Sequence, residues 1–140
     1  MTIPKIFQAI DKKVTPPSGM VMGKRILIVD DQESIVQLIQ EILENLGFEL
    51  SSAADGAEGM ARLQEDIFHG VLLDLDMPVM DGLSMVSRLR TQHHGIPVIV
   101  MSGDPTRSAM IKAIESGAND YLLKPVSPEI LKFKCLRLFI

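Results

Sequence analysis

The sequence predicts an α/β domain with a doubly wound, five-stranded parallel sheet flanked by five helices. Four short apolar runs lack alternating polar positions, which is typical of strands buried on both faces. The runs are Ile26–Val29, Val71–Leu73, Val98–Met101 and Tyr121–Leu123. Amphipathic stretches and short connections separate them, and strands that alternate with helices in this way indicate a parallel sheet covered by helices on both faces.

The first half of the chain supplies two predicted helices and one further strand. Glu33–Leu46 carries a single apolar stripe and is followed by Gly47, a residue type that commonly ends helices. Residues 48–53 form the predicted second strand. Asp55 is expected to cap a second helix, which reaches about Glu65.

The second half supplies three more helices. The third follows the Asp74 strand, and its apolar stripe consists of Leu83, Val86 and Leu89. Pro105 is expected at the first position of the fourth helix, because proline fits a helix start, and Gly117 is expected to end it. The dipeptide Ser127-Pro128 is expected to begin the fifth helix.

Residues 24–140 form the predicted domain, and residues 1–23 are an N-terminal extension of different character. Apolar residues recur there at helical spacing, namely Ile3, Phe7, Ile10 and Val14. The sequence Thr15-Pro16-Pro17-Ser18-Gly19 then has the composition of a linker. The simpler interpretation is an extension without fixed packing, and the alternative is a short amphipathic helix that docks on the domain.

Composition excludes several classes of function. A net charge of −4 and a pI of about 5.3 give no basic footprint for nucleic acid, so no direct nucleic-acid binding is expected. The single cysteine, Cys135, cannot form an internal disulfide. No apolar stretch approaches the roughly 18 residues of a membrane span, and no signal peptide is evident. We expect a cytoplasmic protein without membrane insertion.

Residues suited to phosphate chemistry directly follow four of the strands. Asp30 and Asp31 follow the first run, Asp74 the second, and Ser102 and Lys124 the last two. Because the carboxyl ends of the strands form the ligand crevice of such sheets, three acids, a hydroxyl and an ammonium are expected at one edge.

The acids predict a metal site. Carboxylates this close repel each other by several kcal/mol, and Mg²⁺, which binds a few carboxylates and keeps several waters, relieves that repulsion. Capping of the first helix by Asp30 or Asp31 is the alternative, but it does not explain Asp74. Asp74 could serve as a metal ligand or as a nucleophile that forms an acyl phosphate. Mg²⁺, Lys124 and Ser102 would then stabilise the phosphoryl oxygens.

Taken together, these motifs resemble the bacterial response-regulator receiver family. The resemblance covers residues 24–140. It rests on Asp30-Asp31, Asp74, the segment 77–82, Ser102-Gly103, and Tyr121 ahead of Lys124-Pro125. It implies a flavodoxin-like fold with strand order 2-1-3-4-5. It also implies a phosphoacceptor signalling protein, not an enzyme, which assists its own phosphorylation and dephosphorylation.

The resemblance assigns a role to each site residue. Asp74 would accept phosphate from a histidine kinase or phosphotransfer protein. Asp31, Asp74 and the backbone carbonyl of Asp76 would bind Mg²⁺ directly, and Asp30 would bind it through water. Ser102 and Lys124 would hold the phosphoryl oxygens.

The remaining implied features concern switching and the turn after the last strand. Tyr121 would move inward as Ser102 moves, which makes these two residues a switch. The bond between Lys124 and Pro125 is expected to be cis, so that the turn directs the ammonium to the site.

Two other functions stay open from the residues alone. Asp74-Leu75-Asp76 also matches haloacid-dehalogenase-type phosphatases, in which the first acid is the nucleophile and the second the general acid. In those proteins the acidic strand comes first, whereas here Asp30 and Asp31 precede it. The third class is a pseudo-receiver that binds a partner without phosphate turnover.

The fifth helix is apolar almost all round, which predicts a second contact surface. The residues expected to face the sheet are Leu131, Cys135 and Leu138. The residues expected to lie off it are Phe133, Leu136 and Ile140. The receiver resemblance implies a homodimer or a partner contact through the fourth helix, fifth strand and fifth helix.

Overall fold

The computed structural model describes residues 21–77, 82–92 and 95–140. The amphipathic segment and linker within residues 1–20, and Pro78 to Asp81 of the family motif, lie outside the described residues. Strands and helices alternate along the chain as β1 Arg25–Val29, α1 Glu33–Glu44, β2 Glu49–Ala53, α2 Gly56–Glu65, β3 Gly70–Asp74, α3 Gly82–Gln92, β4 Val98–Ser102, α4 Arg107–Ser116, β5 Asp120–Leu123 and α5 Pro128–Leu138.

The five strands form one parallel sheet in the order β2-β1-β3-β4-β5. This confirms the predicted doubly wound fold and its strand order. The two strands β3 and β4 are buried along their whole length, as expected for strands covered on both faces. Asp74 pairs with Met101, and Ser102 pairs with Leu123, so the carboxyl ends of β3, β4 and β5 lie side by side.

Two apolar layers cover the sheet. Alternate β1 residues point to opposite faces: Ile26 and Ile28 pack with α1 and α5, whereas Leu27 and Val29 pack with α2, α3 and α4. This division places two helices on one face and three on the other. Within the described part of the chain, no helix is long and apolar enough to cross a bilayer.

Three element boundaries differ from the prediction. α1 ends at Glu44, not Leu46, because the amides of Leu46 and Gly47 bond three residues back and tighten the last turn. Gly47 then adopts φ of +102°. The second strand begins at Glu49, one residue later than expected.

The third difference is the start of α4. Thr106 is the N-cap, and its hydroxyl oxygen accepts a hydrogen bond from the amide of Ala109 at 3.2 Å, so Pro105 precedes the cap. A hydroxyl that can satisfy a free amide determines this boundary more strongly than the proline does. The caps predicted at Asp55 and Ser127 are confirmed, because both side chains accept amide hydrogens of the first turn.

α5 buries side chains beyond the single apolar stripe that faces the sheet. Leu131 and Cys135 face the sheet as predicted, and Leu138 is partly buried. Placing Leu136 off the core was wrong, because α5 also packs alongside α1 and buries that side chain. Phe133 is half-buried and Ile140 is exposed.

Candidate functional site

The candidate site lies at the carboxyl edge of the sheet. Asp30 directly follows β1, Asp74 ends β3, Ser102 ends β4 and Lys124 directly follows β5. Because these strands are parallel, their ends share one edge, and the structure brings the acids and the ammonium together there.

Three carboxylates form a compact cluster. One oxygen from each of Asp30, Asp31 and Asp74 lies within 4.8 Å of the others. Asp30 and Asp74 are buried, whereas Asp31 is exposed. Gln32 is the N-cap of α1 and makes no side-chain cap, so the acids are not used to cap this helix.

The environment of Asp30 suits a cation. Its Oδ1 accepts a hydrogen bond from the Gln32 amide at 2.9 Å. Its Oδ2 is buried and has no hydrogen-bond partner among the described residues. Burial raises the pKa of Asp30 to about 6, and the charge of Asp74 adds to this effect, whereas the Gln32 amide opposes it. A buried oxygen without a partner, beside two further carboxylates, fits a hard divalent cation.

Lys124 and a backbone amide hold the carboxylate of Asp74. The Lys124 Nζ lies 2.8 Å from Asp74 Oδ1, and the Asp76 amide donates to the same oxygen at 3.0 Å. Burial by itself would lower the pKa of Lys124. The hydrogen bond to Asp74 and the charges of Asp74, Asp30 and Asp76 outweigh it and raise that pKa. The lysine therefore stays a cation against the acids.

The backbone around Lys124 fixes the position of its side chain. The Lys124–Pro125 bond is cis, as expected. The Lys124 amide donates to the Ser102 carbonyl at 2.8 Å, which ties the end of β5 to the end of β4.

The loop after β4 leaves space next to the acids. The Ser102 hydroxyl oxygen accepts from the Asp104 amide at 3.1 Å, and the Gly103 amide donates to Asp76 Oδ2 at 3.4 Å. A Cβ at Gly103 would meet nothing within 4 Å. A cleft of about 340 Å³ opens here between the β3 and β4 loops and α4, and both Ser102 and Asp76 line it.

Tyr121 connects β5 to the same loop. Its side chain is buried, and its hydroxyl donates to the Asp104 carbonyl at 2.7 Å. Sequence analysis missed this partner. Every residue except proline carries the same backbone groups, so no residue type could have revealed that this carbonyl is the acceptor.

Comparison with known proteins gives the family. The model of the response regulator receiver domain matches residues 26–135. The chain therefore belongs to the response regulator receiver family, whose members are signalling proteins of two-component systems. This match does not favour the phosphatase or the pseudo-receiver interpretation.

Curated relatives match over one part of their length. The transcriptional regulatory protein PrrA of Mycobacterium leprae is 38% identical over 105 residues, which cover 75% of this chain and 45% of PrrA. The transcriptional regulatory protein SrrA of Staphylococcus aureus is 37% identical over 117 residues, which cover 82% of this chain and 48% of SrrA. The chain thus spans just under half the length of these relatives.

Solved receiver structures superpose over nearly their whole length. The Francisella response regulator 1452 receiver domain has a TM-score of 0.80 and 31% identity, over 84% of this chain and 97% of that one. The Vibrio cholerae chemotaxis protein CheY4 has a TM-score of 0.79 and 32% identity, over 84% and 99%. TM-scores this high show that the chain shares the fold of these receiver structures.

Proposed function

We propose that Asp74 is the phosphoacceptor of this receiver and that a histidine kinase or a phosphotransfer protein supplies the phosphoryl group. The observation that carries the proposal is that two groups donate hydrogen bonds to Asp74 Oδ1, namely the Lys124 ammonium and the Asp76 amide. These two contacts orient a buried carboxylate whose neighbour along the strand end, Asp76, lines an open cleft together with Ser102. In that position a carboxylate oxygen can attack phosphorus and displace the histidine nitrogen of the donor.

The cation that the site fits is Mg²⁺. Asp30, Asp31, Asp74 and the carbonyl of Asp76 would hold it. When bound, it would neutralise negative charge on the phosphoryl oxygens. The chain's own contribution is to keep three acids together in the fold at the expense of mutual repulsion, which Lys124 offsets in part.

Ser102 and Lys124 complete the site in this proposal. Lys124 is already within contact of the acceptor and would pair with a phosphoryl oxygen as well. The Ser102 hydroxyl, whose oxygen accepts from the Asp104 amide in this structure, would turn to donate its own hydrogen to a phosphoryl oxygen. These groups also favour attack by water on the acyl phosphate, so the domain would assist both gain and loss of phosphate.

The switch in this proposal consists of Ser102 and Tyr121. Both contact Asp104: Ser102 binds its amide and Tyr121 binds its carbonyl. A Ser102 side chain that turns toward a phosphoryl oxygen would release the Asp104 amide. The loop would then shift, and the Tyr121 hydroxyl would lose or change its acceptor.

The surface that this switch reaches is a candidate for self-association. Five large apolar side chains are exposed on α4, β5 and α5, namely Met110, Ile111, Ile114, Leu123 and Ile130. Exposed apolar groups on adjoining elements tend to mark interfaces. We assign this face to a homodimer that phosphorylation favours.

We do not assign contact with nucleic acid to this domain. The relatives PrrA and SrrA are named transcriptional regulatory proteins, and more than half of each lies outside the match. The acidic net charge of this chain gives no basic footprint for DNA. Any DNA contact in a comparable assembly would therefore belong to another domain.

Intact-mass measurement with acetyl phosphate and Mg²⁺ tests the phosphoacceptor. We expect one added phosphoryl mass that hydroxylamine removes. Asp74→Asn should abolish it, whereas the neighbouring Asp104→Asn should keep it. A mass shift that survives Asp74→Asn would refute the assignment, and sustained turnover of a phosphomonoester would restore the phosphatase interpretation.

A further inference from the structure

A second concave surface lies at the opposite edge of the sheet. This amino-edge groove, of about 780 Å³, is formed where β1, β3 and β4 begin and where α2, α3 and α5 end. Its lining includes Lys24, Ile67, His69, Pro97, Phe139 and Ile140. None of these residues takes part in the phosphate site.

The groove exposes apolar side chains that lack a cover. Ile67 is 77% exposed, more than any other large apolar side chain of the described residues, and Ile140 is 41% exposed. Both line the groove, together with the partly buried Ile96. Apolar surface concentrated in a concave site indicates that something binds there.

The N-terminal segment joins the fold at this edge. Val21 is almost fully buried and packs against the turn at Gly47. Its carbonyl accepts a hydrogen bond from the amide of Lys24, which lines the groove. Residues 15–20 form a tether of about 20 Å when extended, so the preceding residues can reach the groove.

We propose that the amino-edge groove binds residues 3–14 of the same chain, with Ile3, Phe7, Ile10 and Val14 on the apolar lining. In a helix, this stripe would fall on one face, and residues 3–14 would span about 18 Å. The segment carries three lysines against one aspartate. The groove carries the acids Glu65 and Asp66 and the cation Lys24; Asp66 lies 3.7 Å from the Arg25 guanidinium, whereas Glu65 makes no ion pair with any residue that the structure describes. Glu65 can therefore pair with a lysine of the segment, and the apolar stripe matches the apolar lining.

The tether favours this occupant over a second copy. A segment joined by a short linker has an effective concentration in the millimolar range when the linker can span the sites, well above the concentration of other copies in a dilute sample. Docking of the chain's own segment is therefore favoured over binding of a second copy, provided that residues 15–20 can span the distance from Val21 to the groove.

Paramagnetic broadening in the full chain tests the proposal. Cys135 is fully buried, and burial raises the pKa of its thiol, so a cysteine introduced as Ala9→Cys is the one labelled by a nitroxide. We expect broadened amide signals for Ile67, His69 and Phe139. Signals of Asp104 and Thr106, at the opposite edge, should stay sharp. Unchanged groove signals would overturn the proposal.

Matched variants separate docking from chance proximity. Phe7→Asp and Ile67→Glu should each abolish the broadening, whereas Gln8→Asp, off the stripe, and Leu38→Glu, an exposed apolar residue on α1, should preserve it. Phe7→Asp changes no residue of the described core, so it remains informative if Ile67→Glu unfolds. Broadening that also appears between labelled and unlabelled chains in a mixed sample, and disappears on dilution, would assign the groove to a second copy and overturn the proposal.

Discussion

Lys124 and Asp74 form an ion pair between two strands that are not hydrogen-bonded to each other. Their Nζ and Oδ1 atoms lie 2.8 Å apart, and the Asp74 side chain is only 2% exposed. β4 lies between β3 and β5 in the sheet, so the ion pair crosses the end of β4, where Ser102 lies. This geometry holds a lone ammonium against the acids of the site.

Lys124→Ala should destabilise the fold and slow phosphorylation of Asp74. Removing one partner of a buried pair leaves an uncompensated charge, which costs roughly 3–5 kcal/mol. Lys124 is one-fifth exposed, so we expect a smaller loss in the free energy of unfolding, about 2 kcal/mol. Urea unfolding of Lys124→Ala, Asp74→Asn and the double variant forms a cycle. Strictly additive effects would show that the pair is not coupled.

Asp30→Asn should stabilise the metal-free protein. The pKa of Asp30 is raised to about 6 in the fold, so the native state binds this proton more tightly than the unfolded state does. The wild type therefore loses stability as the pH rises from about 4 to about 6. The variant should lack that loss and be more stable by about 1–2 kcal/mol at pH 7. Thermal unfolding in chelator across this pH range measures it.

Magnesium should reverse that order. A ligand that binds only the native state adds stability that grows with its concentration. We expect Mg²⁺ to raise the unfolding temperature of the wild type more than that of Asp30→Asn. Glu65→Gln, which removes an acid far from the site, should respond as the wild type does. Equal responses of all three proteins would argue against a cation at this cluster.

Tyr121→Phe tests the bond between β5 and the loop after β4. The variant keeps the buried ring and removes the donor to the Asp104 carbonyl. We expect a loss of about 1 kcal/mol in the free energy of unfolding. The Asp104 amide signal should shift in NMR spectra, whereas signals of α2 should not. An unchanged loop would separate Tyr121 from the proposed switch.

Ile114→Glu should weaken association of the phosphorylated protein. It places a charge among the exposed apolar side chains of α4, β5 and α5. Leu38→Glu on α1 makes the same kind of change on another surface and should leave association intact. Sedimentation with and without acetyl phosphate and Mg²⁺ measures both variants. A wild type that stays monomeric in each condition would end this assignment.

The fold was predictable because the signals that define it are local. Continuous apolar runs located four of the five strands, and the side chain that follows each run located the site. Boundaries were less predictable where two signals competed, as at Pro105 and Thr106, where the capping hydroxyl prevails over the proline. The strand order and the cis Lys124–Pro125 bond were predicted from the family resemblance and not from these local signals.

Side-chain environment was harder to predict than position. α5 is apolar nearly all round, so its sequence does not fix which residues face inward, and Leu136 is buried by contact with α1. The unpartnered Oδ2 of Asp30 and the Tyr121 acceptor depend on backbone groups brought close in space. Such contacts arise between elements and leave no local pattern.

The two ends of β3 serve different parts of the molecule. Asp74 ends the strand at the candidate site, whereas Gly70 begins it beneath the ring of Phe139, where any added side chain would overlap that ring. β3 is five residues long, so its first and last residues lie roughly 13 Å apart. β3 thus links Asp74 at one edge of the sheet to the residue that packs under Phe139 at the other, through main chain that is buried along its whole length. Gly70→Ala should displace the ring of Phe139 at one end of β3 and leave the groups around Asp74, at the other end, unchanged.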